Sequence, residues 1–182
     1  LDAGRIVYQL GADIHLYDIA ADADRVVPIA LDSDLDQMRE HWVDKPMTYL
    51  TAAHVAPDGK RIVLTARGEV FVAPLEQGRF VQVTRKEGVR YRNARFMPDG
   101  KTLLALSDES GEVELWKLPA NGVGQGERLT TDAGILRWDG IPSPDGKRVA
   151  HWDKKQRLFL FDLATKRNIL IEASEVDQIS DV

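Results

Sequence analysis

Cysteine is absent from all 182 residues, which removes disulfide frameworks, thiolate metal sites and a cysteine nucleophile together. No apolar run approaches the ~20 residues a helix needs to cross a bilayer, so no membrane partner is expected. Neither charge sign dominates. The 24 basic and 29 acidic residues leave a net −5, and that balance offers no electrostatic footprint for nucleic acid. The first residue is Leu, with no basic n-region or apolar h-region behind it, which reads as a segment of a longer chain. A soluble chain is expected, and the compartment stays open between cytoplasm and periplasm. Hydrophobic residues at 43% and charged ones at 29% sit near the globular average and exclude disordered and collagenous classes.

What is present is a repeat. Pro57-Asp58-Gly59-Lys60 recurs as Pro98-Asp99-Gly100-Lys101 and Pro144-Asp145-Gly146-Lys147, at intervals of 41 and 46 residues. Each copy is followed in phase by three short apolar runs separated by Gly, Asn, Asp or charged turns. Val63, Val72 and Val81 mark them in the first copy, and Leu103, Leu115 and Leu129 in the second. Such runs read as consecutive antiparallel strands. A further strand precedes each Pro, and four positions upstream of it stand Ala53, Ala94 and Gly140, all small. Four strands per ~40–45 residues is the period of a propeller blade, whose innermost strand is the crowded one.

The expected fold is therefore all-β: β-propeller blades of four antiparallel strands, three complete and one partial. The expected organisation is a partial blade over 1–30, a connector over 31–48, and blades over 49–86, 87–132 and 133–173. Residues 174–182 begin the next inner strand or close the first blade. In the partial blade, Arg5–Tyr8, Ile14–Tyr17 and Val26–Ile29 supply three strands. The connector accounts for the longer first interval, 56 residues from Asp2 to Asp58. Its Leu35, Met38 and Trp42 are spaced for one face of a short helix, with Ser33 as N-cap.

Reactive constellations are missing. There is no G-x-S-x-G, and Ser107, Ser110 and Ser143 lie in or beside turns. His15, His41, His54 and His151 form no H-E-x-x-H or other close ligand pair, and each reads as an ordinary strand or surface histidine. His54, on an inner strand, is the one placed to line a channel. Asp32, Asp34 and Asp36 mimic the start of a calcium loop, but Gln37 replaces its Gly and Val43 its bidentate Glu. Gly122–Gly126 imitates a phosphate loop, yet strand residues follow it where a helix is needed. Arg90, Arg92 and Arg95 cluster around an inner strand with Tyr91 and Phe96. They read either as a basic lining for the carboxylate end of a peptide or as paired surface charge. Trp42, Trp116, Trp138 and Trp152 read as blade packing. No catalytic, cofactor-binding or metal-binding residue is assigned, and no cofactor is expected.

These residues resemble a known family. The Pro-Asp-Gly-Lys repeats are similar to those of tricorn-like serine proteases and of TolB-type propellers. The stretch from Tyr49, with the Ala66–Phe71 segment ARGEVF after a longer connector, resembles the opening of the second propeller in tricorn-like peptidases. The resemblance implies a non-catalytic propeller segment that helps to admit or filter peptides for a serine peptidase. Its partners are then a peptide or protein substrate, the remaining blades and a catalytic domain. None of the family's catalytic positions falls within this chain. The alternatives are a TolB-like interaction propeller without proteolysis and a self-closed four-bladed ring. Left open, blade edges invite self-association.

Overall fold

The computed structural model describes residues 4–30 and 42–174. The chain forms two units, 1–43 and 44–182. In the first, β1 (Arg5–Leu10), β2 (Asp13–Asp18) and β3 (Ala23–Val26) form one antiparallel sheet in that order. The second holds three four-stranded antiparallel sheets. Blade one is β4 (Leu50–Val55), β5 (Arg61–Ala66), β6 (Glu69–Pro74) and β7 (Val81–Gln82). Blade two is β8 (Tyr91–Phe96), β9 (Thr102–Ser107), β10 (Glu114–Pro119) and β11 (Glu127–Arg128). Blade three is β12 (Arg137–Pro142), β13 (Arg148–Asp153), β14 (Arg157–Asp162) and β15 (Arg167–Ala173). Three complete blades and one partial blade are what the repeat phase predicts. A 3-10 turn at Pro46–Tyr49 leads into β4.

The recurring tetrapeptide builds the same hairpin three times. Gly59, Gly100 and Gly146 take φ of +67°, +62° and +68°, a left-handed conformation that costs glycine little. Each glycine N–H donates over 2.9 Å to the carbonyl three residues back, on Ala56, Met97 and Ser143. Asp58, Asp99 and Asp145 accept from the backbone N–H of Lys60, Lys101 and Lys147 at 2.9, 2.8 and 3.0 Å. The turn thus satisfies its own polar groups, and it joins inner strand to second strand in every blade.

Stacking of blades makes the core. Strand β8 packs on β4, β5 and β6, and β12 packs on β9 and β8. Val63, Val70 and Val72 of blade one meet Ala94, Phe96, Leu103 and Trp116 of blade two. The other face of blade two, Leu104, Leu106 and Leu115, meets Val149 and Phe161 of blade three. Small residues sit where β8 and β12 approach the preceding blade. Ala94 is wholly buried, and a Cβ on Gly140 would lie 2.7 Å from Leu115 Cδ2. Ala53, at the same phase of β4, is exposed, and no blade of its own unit precedes it. Sidedness leaves apolar side chains uncovered at both ends of the stack, among them Val55 and Phe80 in blade one and Ile169 in blade three.

A polar latch ties the outer strand in two blades. Thr84 Oγ1 donates to Glu69 and accepts from Val70 N–H at 2.9 Å. Thr130 repeats this with Glu114 and Leu115 N–H at 3.0 Å. In blade three the glutamate position is Arg157, whose Nε donates to Asp153 at 2.8 Å.

Two expectations from sequence change. The third strand of the partial blade is Ala23–Val26, not Val26–Ile29. The Asp18 carboxylate accepts from Ala20 and Ala21 N–H and Asp22 turns left-handed at φ +47°. The hairpin therefore closes at once and pairs Asp18 with Ala23. Trp42 is 97% exposed and Trp138 47%, so only Trp116 and Trp152 pack within blades. His151 is a strand residue, on β13, and is wholly buried. The helix around Leu35 and Met38, the acidic triplet Asp32/Asp34/Asp36, His41 and the closing segment 176–182 lie outside the described residues.

Candidate functional site

Every inner strand carries a β-bulge near its start: between Leu50 and Ala52, between Arg92 and Arg95, and between Arg137 and Asp139. A bulge bends the strand and re-aims the side chains beside it. In β8 it is formed with Asn93 left-handed at φ +50°, which turns three polar side chains, Arg92, Asn93 and Arg95, toward the bulge of β12. Arg92 Nη2 donates to Arg137 O at 3.2 Å, Asn93 Nδ2 to Trp138 O at 3.2 Å, and Arg95 Nη2 to Asp139 Oδ2 at 2.6 Å. On the other side, Phe96 N–H donates to His54 Nδ1 at 3.3 Å. That bond leaves the His54 proton on Nε2. Burial, seconded by the Arg95 charge, holds this imidazole below its usual value, so it is neutral near pH 7.

The arginine cluster foreseen in sequence therefore divides. Arg95 joins His54, Asn93 and Asp139 around a cavity of about 220 Å³ between inner strands. Its charge is already matched by Asp139. Arg90 and Arg92 instead meet Arg67, from the β5–β6 hairpin, around a second cavity of about 430 Å³. Thr48, Tyr49 and Thr51 complete that wall with Asn93, and the Arg67 guanidinium lies 5.3 Å from the centre of the Tyr49 ring. Arg67 had no signal in sequence beyond an unusual residue at the first position of an X-Gly hairpin turn. Its φ is +54°, where Asn or Gly is the common choice.

A third polar group, buried at Arg137, Glu114 and His151 and open to solvent at Asp132, joins blades two and three. Arg137, 4% exposed, reaches Glu114, 3% exposed, at 3.2 Å and also bonds Asp132. Arg137 Nη1 lies 3.4 Å from His151 Nδ1, and His151 Nε2 donates to Asn168 Oδ1 at 2.8 Å. Asn168 Nδ2 in turn donates to Asp132 at 2.8 Å, closing a ring of hydrogen bonds. Burial, with the Arg137 charge, pushes the His151 pKa below its ordinary 6.5. Between blades one and two, Tyr91 Oη donates to Glu109 at 2.6 Å, and Lys86 Nζ reaches the same carboxylate at 2.7 Å. These groups join blades.

Among the described residues no acid, base and nucleophile converge. Ser143 Oγ donates to Asp145 at 2.6 Å and accepts from Arg148 N–H, which makes it part of a turn. Ser107 is buried and accepts from Glu109 N–H. His15 stacks on Tyr8 and meets Asp24 at 2.7 Å. Gly122 and Gly124 form a left-handed turn, and strand β11 follows it. Among the described residues no three His, Asp or Glu side chains are grouped to hold a metal.

No family model matches the chain. It is 32% identical over 179 residues to a tricorn protease homolog of Saccharolobus solfataricus, covering 98% of this chain and 16% of that protein. A protein of Sulfurisphaera tokodaii named as a tricorn-like protease C-terminal subunit is 32% identical over 181 residues, 100% of this chain and 20% of its own length. The chain thus spans about a fifth or less of the curated relatives it matches. Among solved structures it superposes on the tricorn protease with a TM-score of 0.64 and 18% identity, over 96% of this chain and 16% of that one. TolB from Acinetobacter baumannii gives 0.60 and 23%, over 97% of this chain and 42% of that one.

Proposed function

We propose that this chain, a tricorn-like β-propeller segment, helps to admit or filter peptides for a serine peptidase of which it forms a non-catalytic part. The observation that carries this reading is similarity to tricorn-like proteases along the whole chain, joined to a fold whose inner strands present His54, Asn93, Arg95 and Asp139 around a shared cavity. Peptides carry backbone donors and acceptors at every residue and charges at their ends, and such a polar, partly charged lining can hold them transiently. The uncovered apolar side chains at both ends of the stack suit the remaining blades as covalently linked partners, since exposed apolar surface of this kind marks an interface.

The test belongs in the longer parent protein. Arg95→Ala and His54→Ala are compared with wild type on a long unstructured peptide and on a short chromogenic one. Altered turnover of the long substrate with unchanged turnover of the short one is the expected result. Unchanged turnover of both rejects a role in access. A parent that cleaves neither leaves an interaction propeller, for which the fold shared with TolB is the supporting observation.

A further inference from the structure

The cavity walled by Arg67, Arg90 and Arg92 is a concentration of positive charge in a chain that is net negative. Arginines elsewhere on the inner strands are matched: Arg95 by Asp139 and Arg137 by Glu114 and Asp132. None of the three cavity guanidinium groups has an ion pair among the described residues. Arg67 lies over the Tyr49 ring, and Arg92 donates to a main-chain carbonyl. Asp108 accepts from the Arg90 backbone N–H at 2.8 Å, and Asp139 is held by Arg95. Burial and the neighbouring Arg90 charge weaken the hold of Arg92 on its proton, and the Asp108 and Asp139 carboxylates offset this only in part.

Of the other polar groups on the wall, the Thr48 and Thr51 hydroxyls donate to Lys45 O and Thr65 O at 2.9 and 3.0 Å and Asn93 Nδ2 to Trp138 O, so the charge offered to a ligand is that of the three guanidinium groups, with the Tyr49 hydroxyl beside them. Guanidinium groups match oxyanions through paired N–H bonds. A volume of about 430 Å³ falls in the range of small-molecule sites, ~300–1,000 Å³. It exceeds what a bare inorganic ion fills. We propose that this cavity binds a doubly charged oxyanion carried on a small molecule, of the phosphate-ester or dicarboxylate class. The charged end lies among the three arginines and the remainder runs along Tyr49, whose ring is 44% exposed. The site stands whether or not the parent is a peptidase.

Calorimetric titration of the 182-residue chain at constant ionic strength tests this with inorganic phosphate, succinate and acetate as probes. The expected result is saturable one-site binding of phosphate or succinate, with acetate at least tenfold weaker. Saturation by phosphate alone assigns the ester class and by succinate alone the dicarboxylate class, while both together show selection by charge. Arg67→Asn, which suits the left-handed turn, and Arg90→Gln each lower affinity about tenfold, the usual effect of losing one charged hydrogen-bond donor. Arg79→Gln, an exposed arginine outside the cavity, serves as the control and leaves it unchanged. Absence of saturable binding by all three probes overturns the proposal. So does acetate binding as tightly as the dianions, or equal affinity in the Arg67, Arg90 and Arg79 variants. Melting curves of Arg67→Asn and Arg90→Gln separate lost binding from lost folding.

Discussion

Replacing Arg137 by Met probes how the second and third blades are held together. The guanidinium and the Glu114 carboxylate are 4% and 3% exposed and 3.2 Å apart. Removing the cation leaves a buried carboxylate with only Thr130 Oγ1 and the Ala133 N–H, at 2.9 Å, as donors. Breaking a buried pair from one side costs about 3–5 kcal/mol, because the remaining charge is uncompensated. In a chain of this size each kcal/mol moves Tm by roughly 2–4 °C, so the variant should melt roughly 6–20 °C lower. Met fills much of the arginine stem's volume, which confines the effect mainly to charge. Urea unfolding followed by tryptophan fluorescence reads blade contacts directly, since Trp116 and Trp152 are both buried in this unit. A second variant, Arg137→Met with Glu114→Leu, removes both charges and should regain more than half of the lost stability. The double-mutant cycle should give a coupling of about 2 kcal/mol. A single-variant loss under about 1 kcal/mol, or losses that simply add, would refute the argument.

Glycine at 140 is expected to be irreplaceable in a way that glycine at 134 is not. Gly140→Ala drives a methyl against Leu115 in a packed core and should cost about 1–3 kcal/mol, whereas Gly134→Ala meets nothing within 4 Å and should stabilise by about 0.4–1 kcal/mol; urea midpoints of the two variants check both. His151 binds its proton less readily folded than unfolded, so stability is full above its ordinary pKa of 6.5 and falls as pH drops through its folded value. Its replacement by Gln should flatten the urea midpoint's dependence on pH below its ordinary 6.5. Tyr91→Phe removes one donor to Glu109 while Lys86 remains, and thermal unfolding should show a loss of about 1 kcal/mol.

Local chemistry was legible and distant pairing was not. The Pro-Asp-Gly-Lys turns could be read from four residues because Asp and Gly satisfy the turn within it. Strand phase followed from apolar runs, and small residues at 94 and 140 correctly marked where blades crowd. The arginine cluster was visible as composition but was misdivided. Arg95 finds Asp139 across 44 positions, and Arg67 enters the same cavity as Arg90 through a hairpin of another blade. Neither fact is encoded by spacing along one strand. The bulges that aim these side chains left no sequence mark, since their strands begin with the unlike residues Leu50, Tyr91 and Arg137. Exposure of Trp42 and Trp138 went against composition for the same reason: an aromatic states what it prefers, and its neighbours decide what it receives.

Within residues 44–174, blade two has a neighbouring blade on each face, because each blade offers its inner strand to one neighbour and its opposite face to the next. Such a stack behaves as a one-dimensional lattice, in which a change is felt by adjacent units and fades beyond them. Whole blades can then be gained or lost in evolution without redesigning the rest, since every junction is made in the same way. The constraint on the chain falls on its junctions, and the turns at the rims of the blades are left free to diversify.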